Sequence, residues 1–446
     1  MRLGGLLGAF AKETRGNVAI IVGFLFVPLA VIAGGATDIA RYESFRAQLQ
    51  DGVDRGVLAA TSLAQTKTVE DTVVNYLKSV SFNDEVSVTV LKDVKSSTSK
   101  VVTVRADYTM PTAFLPLIGI DTMTVVAQAS AEERRQNVEI SLMLDFSGSM
   151  VGSRFARLKP AARDFVSTLL TDATKPYTTI SIVPYAGQVS VGAAMFNALG
   201  GVRVHNNSSC FMLKSPDYAA GLISFSGRAQ VDNFTVWNAT NYSTDLNPAW
   251  CPGDDTAISF LSNDAAYLKA QIDGYKMYDG TGTAVAMNWG LMLLDPSARP
   301  LIAQAVALGK TQSQFANRPA DYTDPNTIKF IVLMTDGNIT EQYVAKDPSK
   351  PVRTESNSKL YRDPITNKDQ NATETAALLA KVCTSAKANR VIVFTIGFDI
   401  GSNTDAMTQM RNCASSPSHF YSVTGLDIAS AFRSIATAIQ KIKLTQ

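Results

Sequence analysis

The chain has 446 residues, of which 46% are hydrophobic and 18% charged, and its formal net charge is +2. That length exceeds one ordinary globular core and implies two or more domains, while the composition is that of a folded protein and excludes the disordered class. The near-neutral balance leaves no concentrated basic face, so nucleic acid is not an expected partner.

No charged residue occurs from Gly16 to Thr37, and the stretch Val18 to Ala33 is apolar throughout. A helix over residues 18–36 is long enough to span a bilayer, and Pro28 inside it would kink it in a way that membrane helices tolerate. Arg2, Lys12 and Arg15 precede this segment against Glu13 alone, whereas Asp38, Arg41, Glu43 and Arg46 after it roughly cancel. The positive-inside bias then predicts a single-pass anchor of the inner (cytoplasmic) membrane, with residues 1–17 as a cytoplasmic tail and the main part of the chain extracytoplasmic, or periplasmic. Gly34-Gly35-Ala36 also has the small residues of a signal-peptide cleavage site. The apolar run is longer than the usual h-region of about 7 to 15 residues, which favours an anchor.

Residues 37–136 read as a helical stalk and a small α+β domain. Ile39, Ala40, Phe45, Leu49, Val53, Val57, Leu58 and Leu63 recur at helical spacing with Arg41, Arg46, Gln50 and Asp54 between them, an amphipathic helix continuous with the anchor. The period then becomes two. Val86, Val88 and Val90, then Val102, Val104, Ala106 and Tyr108, predict a hairpin joined by a polar link from Lys92 to Lys100. Thr122 to Ala129 predicts a third strand, and Glu132-Glu133-Arg134-Arg135 a linker.

From residue 137 to 446, strands and helices alternate. Strands are predicted at Val138–Leu144, Thr179–Val183, Ile328–Met334, Val391–Gly397 and Phe420–Val423. Helices are predicted at Arg157–Leu170, Ala284–Leu294, Thr373–Lys387 and Ile428–Ile442. Near-continuous apolar strands in such alternation imply a Rossmann-like α/β fold, a mostly parallel sheet with helices on both faces. Ligands of such sheets sit beyond the carboxyl ends of the strands.

Two acidic residues fall at such ends. Asp145, Ser147 and Ser149 follow the first strand with the spacing Asp-x-Ser-x-Ser, and Asp336 follows Phe330-Ile-Val-Leu-Met-Thr335. A carboxylate and two hydroxyls at alternate positions can converge on one hard divalent cation, Mg²⁺ first, with Mn²⁺ or Ca²⁺ as alternatives. In isolation the same residues could simply cap a helix, Asp and Ser being favoured there.

These residues resemble the von Willebrand factor A domain and its metal-ion-dependent adhesion site (MIDAS). In that family the Asp-x-Ser-x-Ser loop is joined by a Thr in a glycine-flanked loop opening a helix and by an Asp after a later strand. Gly280-Thr281-Gly282-Thr283 and Thr335-Asp336-Gly337 fit those two places. The resemblance implies the ligand set Asp145, Ser147, Ser149, Thr281 and Asp336, with Thr283 as an alternative to Thr281. It also implies binding of a partner protein's acidic side chain at the cation. A second resemblance covers the N-terminal third. Arg15-Gly-Asn-Val-Ala-Ile-Ile, Gly35-Ala-Thr-Asp38-Ile-Ala-Arg41 and Leu49-Gln-Asp-Gly-Val-Asp54 look like the TadE/TadG-like segment of tight-adherence (Flp) pilus assembly. An A domain behind such an anchor is similar to the TadG-like proteins, which implies a role in pilus assembly or cell adhesion. The pseudopilin relatives have Glu five residues after a cleavage glycine, whereas counting from Gly16 places Ile21 there. An uncleaved anchor is therefore expected.

The chain between about residues 191 and 275 exceeds a minimal A domain and predicts a surface insertion holding Cys210, Trp237, Trp250 and Cys251. Four cysteines in an exported protein permit three pairings if all are bridged. The expected bonds are Cys210 with Cys251 and Cys383 with Cys413, free buried cysteines being the alternative. No Cys-x-x-Cys is present, and His205 and His419 are isolated, which disfavours zinc. Neither histidine lies in a hydrolase motif, and Gly280-Thr-Gly-Thr lacks the Lys of a phosphate loop. No catalytic residue is assigned and no enzymatic activity is expected. Asn206, Asn233, Asn241 and Asn371 begin Asn-x-Ser/Thr tripeptides, which matter only where a pathway glycosylates them. The competing functional expectation is a structural envelope or pilus-base component that assembles through its A-like domain without metal.

Overall fold

The structure, a computed structural model, describes residues 17–82, 85–96, 99–235, 246–337, 339–340, 342–345, 360–361, 372–400 and 404–444. The tail charges Arg2, Lys12, Glu13 and Arg15, together with Trp237, Asn241 and Asn371, lie outside the described residues. The chain divides into two compact units, Met1–Arg134 and Arg135–Gln446.

In the first unit, α1 (Asn17–Ala60) runs through Pro28 as one helix, so the apolar N-terminal segment and the amphipathic stretch are continuous. Its residues from Ile21 to Ala60 include the chain's described span long and apolar enough to cross a membrane. A second helix, α2 (Val69–Leu77), starts where Thr68 Oγ1 accepts from the Asp71 N–H at 3.0 Å, satisfying a free helix-end donor. Both helices pack on an antiparallel sheet of β1 (Val86–Lys95), β2 (Ser99–Pro111) and β3 (Thr122–Arg134), in that order. Leu49, Val53 and Val57, one face of α1, bury against Val73, Val102 and Val125. Two expectations are corrected here. The polar link between the first strands is far shorter than residues 92–100, because Lys92 to Lys95 are still strand, exposed on both faces of an edge strand that stays paired with β2. Likewise Glu132 to Arg134 is strand, not linker: Glu133 faces Lys100 in register, and its Oε2 accepts from the Leu63 N–H at 2.7 Å.

The second unit is built on a six-stranded sheet. Its elements in chain order are β4 (Asn137–Asp145), α3 (Ser153–Leu169), β5 (Thr178–Tyr185), α4 (Ala193–Ala198), β6 (Ser259–Ser262), α5 (Ala265–Gly274), α6 (Thr283–Met292), α7 (Arg299–Ala307), β7 (Thr327–Thr335), α8 (Ala372–Ala388), β8 (Ile392–Phe398), α9 (Thr404–Cys413), β9 (Phe420–Val423) and α10 (Ile428–Leu444). The strand order is β9-β8-β7-β4-β5-β6. All neighbours are parallel except β6, which closes the edge antiparallel to β5. This is a doubly wound sheet whose order reverses beside β4, the place where such folds build ligand sites.

Strand alternation feeds two cores. Ile140, Leu142, Phe330 and Val332 face α3 and α10, whereas Met143, Ile331 and Leu333 face α6 and α8. Every residue of α6 is buried, so this helix carries no polar face and sits inside the fold. The segment expected as an insertion is two things. Residues 259–274 supply β6 and α5 of the main fold, and the chain before them folds mostly through short bridges such as Phe211↔Gln230 and Thr235↔Ala249. Both expected disulfides are present, Cys210–Cys251 with a Cα separation of 6.1 Å and Cys383–Cys413 with 5.0 Å.

Candidate metal centre

The carboxyl ends of the adjacent strands β4 and β7 bring four of the expected ligands together. Asp145 closes β4, and its Oδ1 accepts from the Ser147 N–H at 2.9 Å, which folds the loop back over the strand end. Ser147 Oγ and Ser149 Oγ lie 2.9 Å apart, and Ser149 Oγ donates to Asp336 Oδ1 at 2.5 Å. A hydroxyl chain thus joins the two loops that hold the carboxylates. Thr335 Oγ1 donates to Asp145 Oδ2 at 2.7 Å, and the Tyr185 hydroxyl lies 3.4 Å from the same oxygen while donating to the Met334 carbonyl at 2.8 Å.

Thr281 stands in the loop before α6, and its backbone is fastened to the loop after β7. Its N–H donates to Thr340 Oγ1 at 2.9 Å and its carbonyl accepts from the Thr340 N–H at 3.2 Å. Thr283 is the first residue of α6 and fully buried. The Gly280 loop is held from the insertion side. A Cβ on Gly187 would lie 2.5 Å from the Trp250 ring and one on Gly280 2.3 Å from it, so both backbones press against Trp250. Trp250 packs in a small core with Phe234, Tyr343 and the Cys210–Cys251 bridge.

Burial is the main electrostatic influence. It raises the Asp145 carboxyl well above the usual carboxylate range, and the charge of Asp336 adds to the rise; hydrogen bonds from Ser147 and Thr335 oppose it. Asp336 is also raised by burial, against hydrogen bonding from Ser149 and the charge of Arg154. Asp279, beside the Gly280 loop, is pushed up to about 6 by burial, against the Gly280 N–H. Its Oδ2 is buried with no hydrogen-bond partner, and its Oδ1 lies 3.7 Å from the position a Cβ on Gly148 would take.

The donor set fits a hard divalent cation. Two carboxylates destabilised by burial and by each other, bridged by hydroxyls, gain from a positive charge placed between them. Among the described residues no group of three or more His, Cys, Asp or Glu side chains could hold a metal, so hydroxyl and water oxygens would complete the shell. Arg154, Asp279, Thr335 and Tyr185 were not legible as site residues. Of these, Thr335 alone stood inside a quoted motif, Thr335-Asp336-Gly337. The histidines serve the scaffold: His205 Nε2 lies 2.9 Å from the Val231 carbonyl, and His419 Nδ1 lies 2.6 Å from Ser416 Oγ, its ring edge-on to Phe394.

Residues 16–65 match the Flp pilus-assembly TadE/G-like family, termed Tad. The N-terminal segment is TadE/G-like. No curated protein matches the chain. Among solved structures, the von Willebrand factor domain of the type V pili tip protein Mfa5 from Porphyromonas gingivalis is 16% identical, with 69% of this chain and 97% of that one covered at a TM-score of 0.39. The pilus adhesin SpaC from Lactobacillus rhamnosus GG is 11% identical over 80% of this chain and 35% of that one, at 0.38. The pilus adhesin RrgA from Streptococcus pneumoniae is 14% identical over 80% and 49%, at 0.37. This chain therefore spans a third to a half of the two adhesins. Behind its TadE/G-like segment, the chain has the parallel-rich, two-faced α/β architecture expected of a von Willebrand factor A domain.

Proposed function

We propose that this protein is a single-pass membrane-anchored component of a tight-adherence (Flp) pilus assembly or surface-adhesion system. Its N-terminus lies in the cytoplasm and its A domain in the periplasm or beyond. The domain captures a partner protein by an acidic side chain, through a divalent cation held by Asp145, Ser147, Ser149, Thr281 and Asp336. The Tad family match over residues 16–65 supports the system. The uncharged, solvent-facing stretch of α1 supports the anchor. The observation that carries the binding reading is the Ser147–Ser149–Asp336 hydroxyl chain, which gathers oxygen ligands from two adjacent strand ends. Bound there, a cation would offer an open coordination position to a carboxylate. The chain's own part is to hold the two carboxylates close and to orient the hydroxyls. Binding rather than catalysis is proposed.

A second reading, assembly through the A-like domain without metal, draws on Arg154. Its guanidinium donates to Asp336 Oδ2 at 2.9 Å and already supplies a positive charge at the site.

The two readings separate in a titration of the full chain in detergent with Mg²⁺ or Mn²⁺, following Tm. The wild type is expected to gain stability as the cation rises, by about 2.7 kcal/mol at a hundredfold excess over Kd, and Asp145→Ala and Ser149→Ala to gain little. An equal response in all three proteins would remove the cation from the account. Crosslinked capture from intact cells that persists in chelator would favour the second reading.

A further inference from the structure

The small domain carries an apolar loop that its own core does not use. Residues 111–120, Pro-Thr-Ala-Phe-Leu-Pro-Leu-Ile-Gly-Ile, contain no charge and connect β2 to β3. Thr112 pins the ends together, its N–H donating to the Asp121 carbonyl at 3.0 Å and its Oγ1 to the Ile120 carbonyl at 2.6 Å. Leu115–Ile118 forms one 3₁₀ turn, which Gly119 closes in the left-handed region at φ 85°. Phe114, Leu117, Ile118 and Ile120 are each between 42% and 67% exposed. Four large apolar side chains on one ordered, hydrogen-bonded turn form a patch of the kind that soluble surfaces rarely display without an interaction to serve.

The position of this loop says what covers it. Asp38, fully buried, accepts from the backbone N–H groups of Ala113, Phe114 and Leu115 at 2.9, 2.8 and 3.0 Å. That fastens the loop to α1 at the first charged residue after the apolar stretch. Phe114 continues the apolar surface of α1 itself, meeting Leu29, Ala30, Ala33 and Gly34 along a shallow groove. At 1.5 Å per residue, the helix from Asn17 to Thr37 rises about 31 Å, close to the hydrocarbon thickness of a bilayer. The loop therefore sits where the anchor leaves the hydrocarbon.

We propose that residues 113–120 form a second membrane contact, a lipid-facing loop seated in the boundary of the bilayer beside α1. The proposal rests on the anchor reading of α1 and adds a surface that fixes the small domain against the membrane. An interfacial apolar loop of this kind binds by buried apolar area. Clamped by Asp38, it restricts how the helix can tilt and rotate relative to the β1–β3 sheet.

The test is tryptophan quenching by brominated-chain lipids in liposomes of phosphatidylethanolamine and phosphatidylglycerol holding the full-length protein. Leu117→Trp reports the loop and Phe26→Trp the anchor. Val94→Trp reports the far end of the sheet, since Val94 pairs with Val101 and the loop follows Pro111, roughly 30 Å along the strand. All three positions are exposed, so the fold should tolerate them. Each is compared with the parent protein, whose native tryptophans give the baseline. Quenching at Leu117 and Phe26 but not at Val94 is the expected result. Quenching at Phe26 without Leu117 would overturn the loop contact and leave the anchor standing. No quenching at Phe26 would overturn the anchor reading and the loop with it. A blue-shifted but unquenched Leu117→Trp would mean that protein, a second copy or a partner helix, covers the patch, and would overturn the lipid assignment.

Discussion

Arg154 and Asp336 form a charge-assisted pair at the carboxyl end of the sheet: Arg154 Nη1 donates to Asp336 Oδ2 at 2.9 Å, while Asp336 Oδ1 accepts from Ser149. Arg154 also lies 3.6 Å from Asp399 Oδ2, so one guanidinium serves two carboxylates in the loops after β7 and β8. It comes from the first turn of α3, directly behind the Asp-x-Ser-x-Ser loop. A fixed positive charge in that place must oppose a second cation.

Arg154→Gln is therefore expected to tighten Mg²⁺ binding by about tenfold, which corresponds to about 1.4 kcal/mol. In chelator the same change should lower stability, on the order of 1 kcal/mol, since Arg154 is 34% exposed and its pairing is partly screened. Isothermal titration of wild type and variant measures the first effect, and Tm in chelator the second. Unchanged affinity would mean that Arg154 does not compete at the cation position.

Asp279 gives the site a pH dependence of known sign. Its folded carboxyl is pushed up to about 6 from 3.8. Between those values the folded protein keeps a proton that the unfolded chain has released, so stability is fully present below the lower value and is lost as pH rises through the upper one. Asp279→Asn should remove that slope, gaining about 1 to 3 kcal/mol over wild type at pH 8 and nothing near pH 4. Melting curves of both proteins in chelator across this range measure the difference, which also cancels the similar tendency of Asp145.

The strands that carry the site were legible because each is a largely apolar run, broken only by polar or charged residues such as Glu139 and Lys329, that ends in a short motif holding an Asp. Val138–Leu144 before Asp145 and Ile328–Met334 before Thr335-Asp336 placed two neighbouring strands and the carboxyl end where the candidate site lies. Edge strand β6 was not legible: Ser259-Phe-Leu-Ser262 is four residues long, with polar ends and no alternation to count. Helix α5 follows it with only Leu268 and Ile272 buried, too few to stand out as a stripe. Arg154 and Asp279 escaped for a different reason. An Arg near a helix start and an Asp before a Gly are ordinary surface features, and only tertiary closure sets one against Asp336 and buries the other.

Gly280 tests whether the insertion positions the Thr281 loop. Its φ is +80°, and a Cβ there would lie 2.3 Å from Trp250. Gly280→Ala is expected to cost about 2 to 5 kcal/mol, the sum of left-handed backbone strain and overpacking. Pairing it with Trp250→Ala should recover the share of overpacking due to the indole ring but not the 2.8 Å approach to the Gly187 Cα, so the double variant would be more stable than the two single losses added together. Strict additivity in urea titrations would show that Trp250 does not set the loop.

Glu139 tests the opposite end of the same strands. It is fully buried at the start of β4, where its Oε2 accepts from Lys329 Nζ at 2.7 Å and its Oε1 from Arg318 Nη1 and the Ala320 N–H, each at 2.9 Å. Lys329 Nζ donates further to the Leu294 and Ala320 carbonyls. Burial lowers the Lys329 pKa, and the Glu139 charge holds it up. Removing the carboxylate leaves an ammonium in the core, so Glu139→Ala should cost about 3 to 5 kcal/mol. Replacing both partners, Glu139→Gln with Lys329→Met, should cost less than Glu139→Ala alone, because the buried ammonium is gone and the Gln amide oxygen can still accept from Arg318, which is 20% exposed. Cation affinity should not change in folded protein of either variant, since the cluster lies at the amino ends of the strands and Asp145 and Asp336 at the carboxyl ends. A fall in Mg²⁺ affinity without a fall in Tm would show that the two ends of the sheet are coupled.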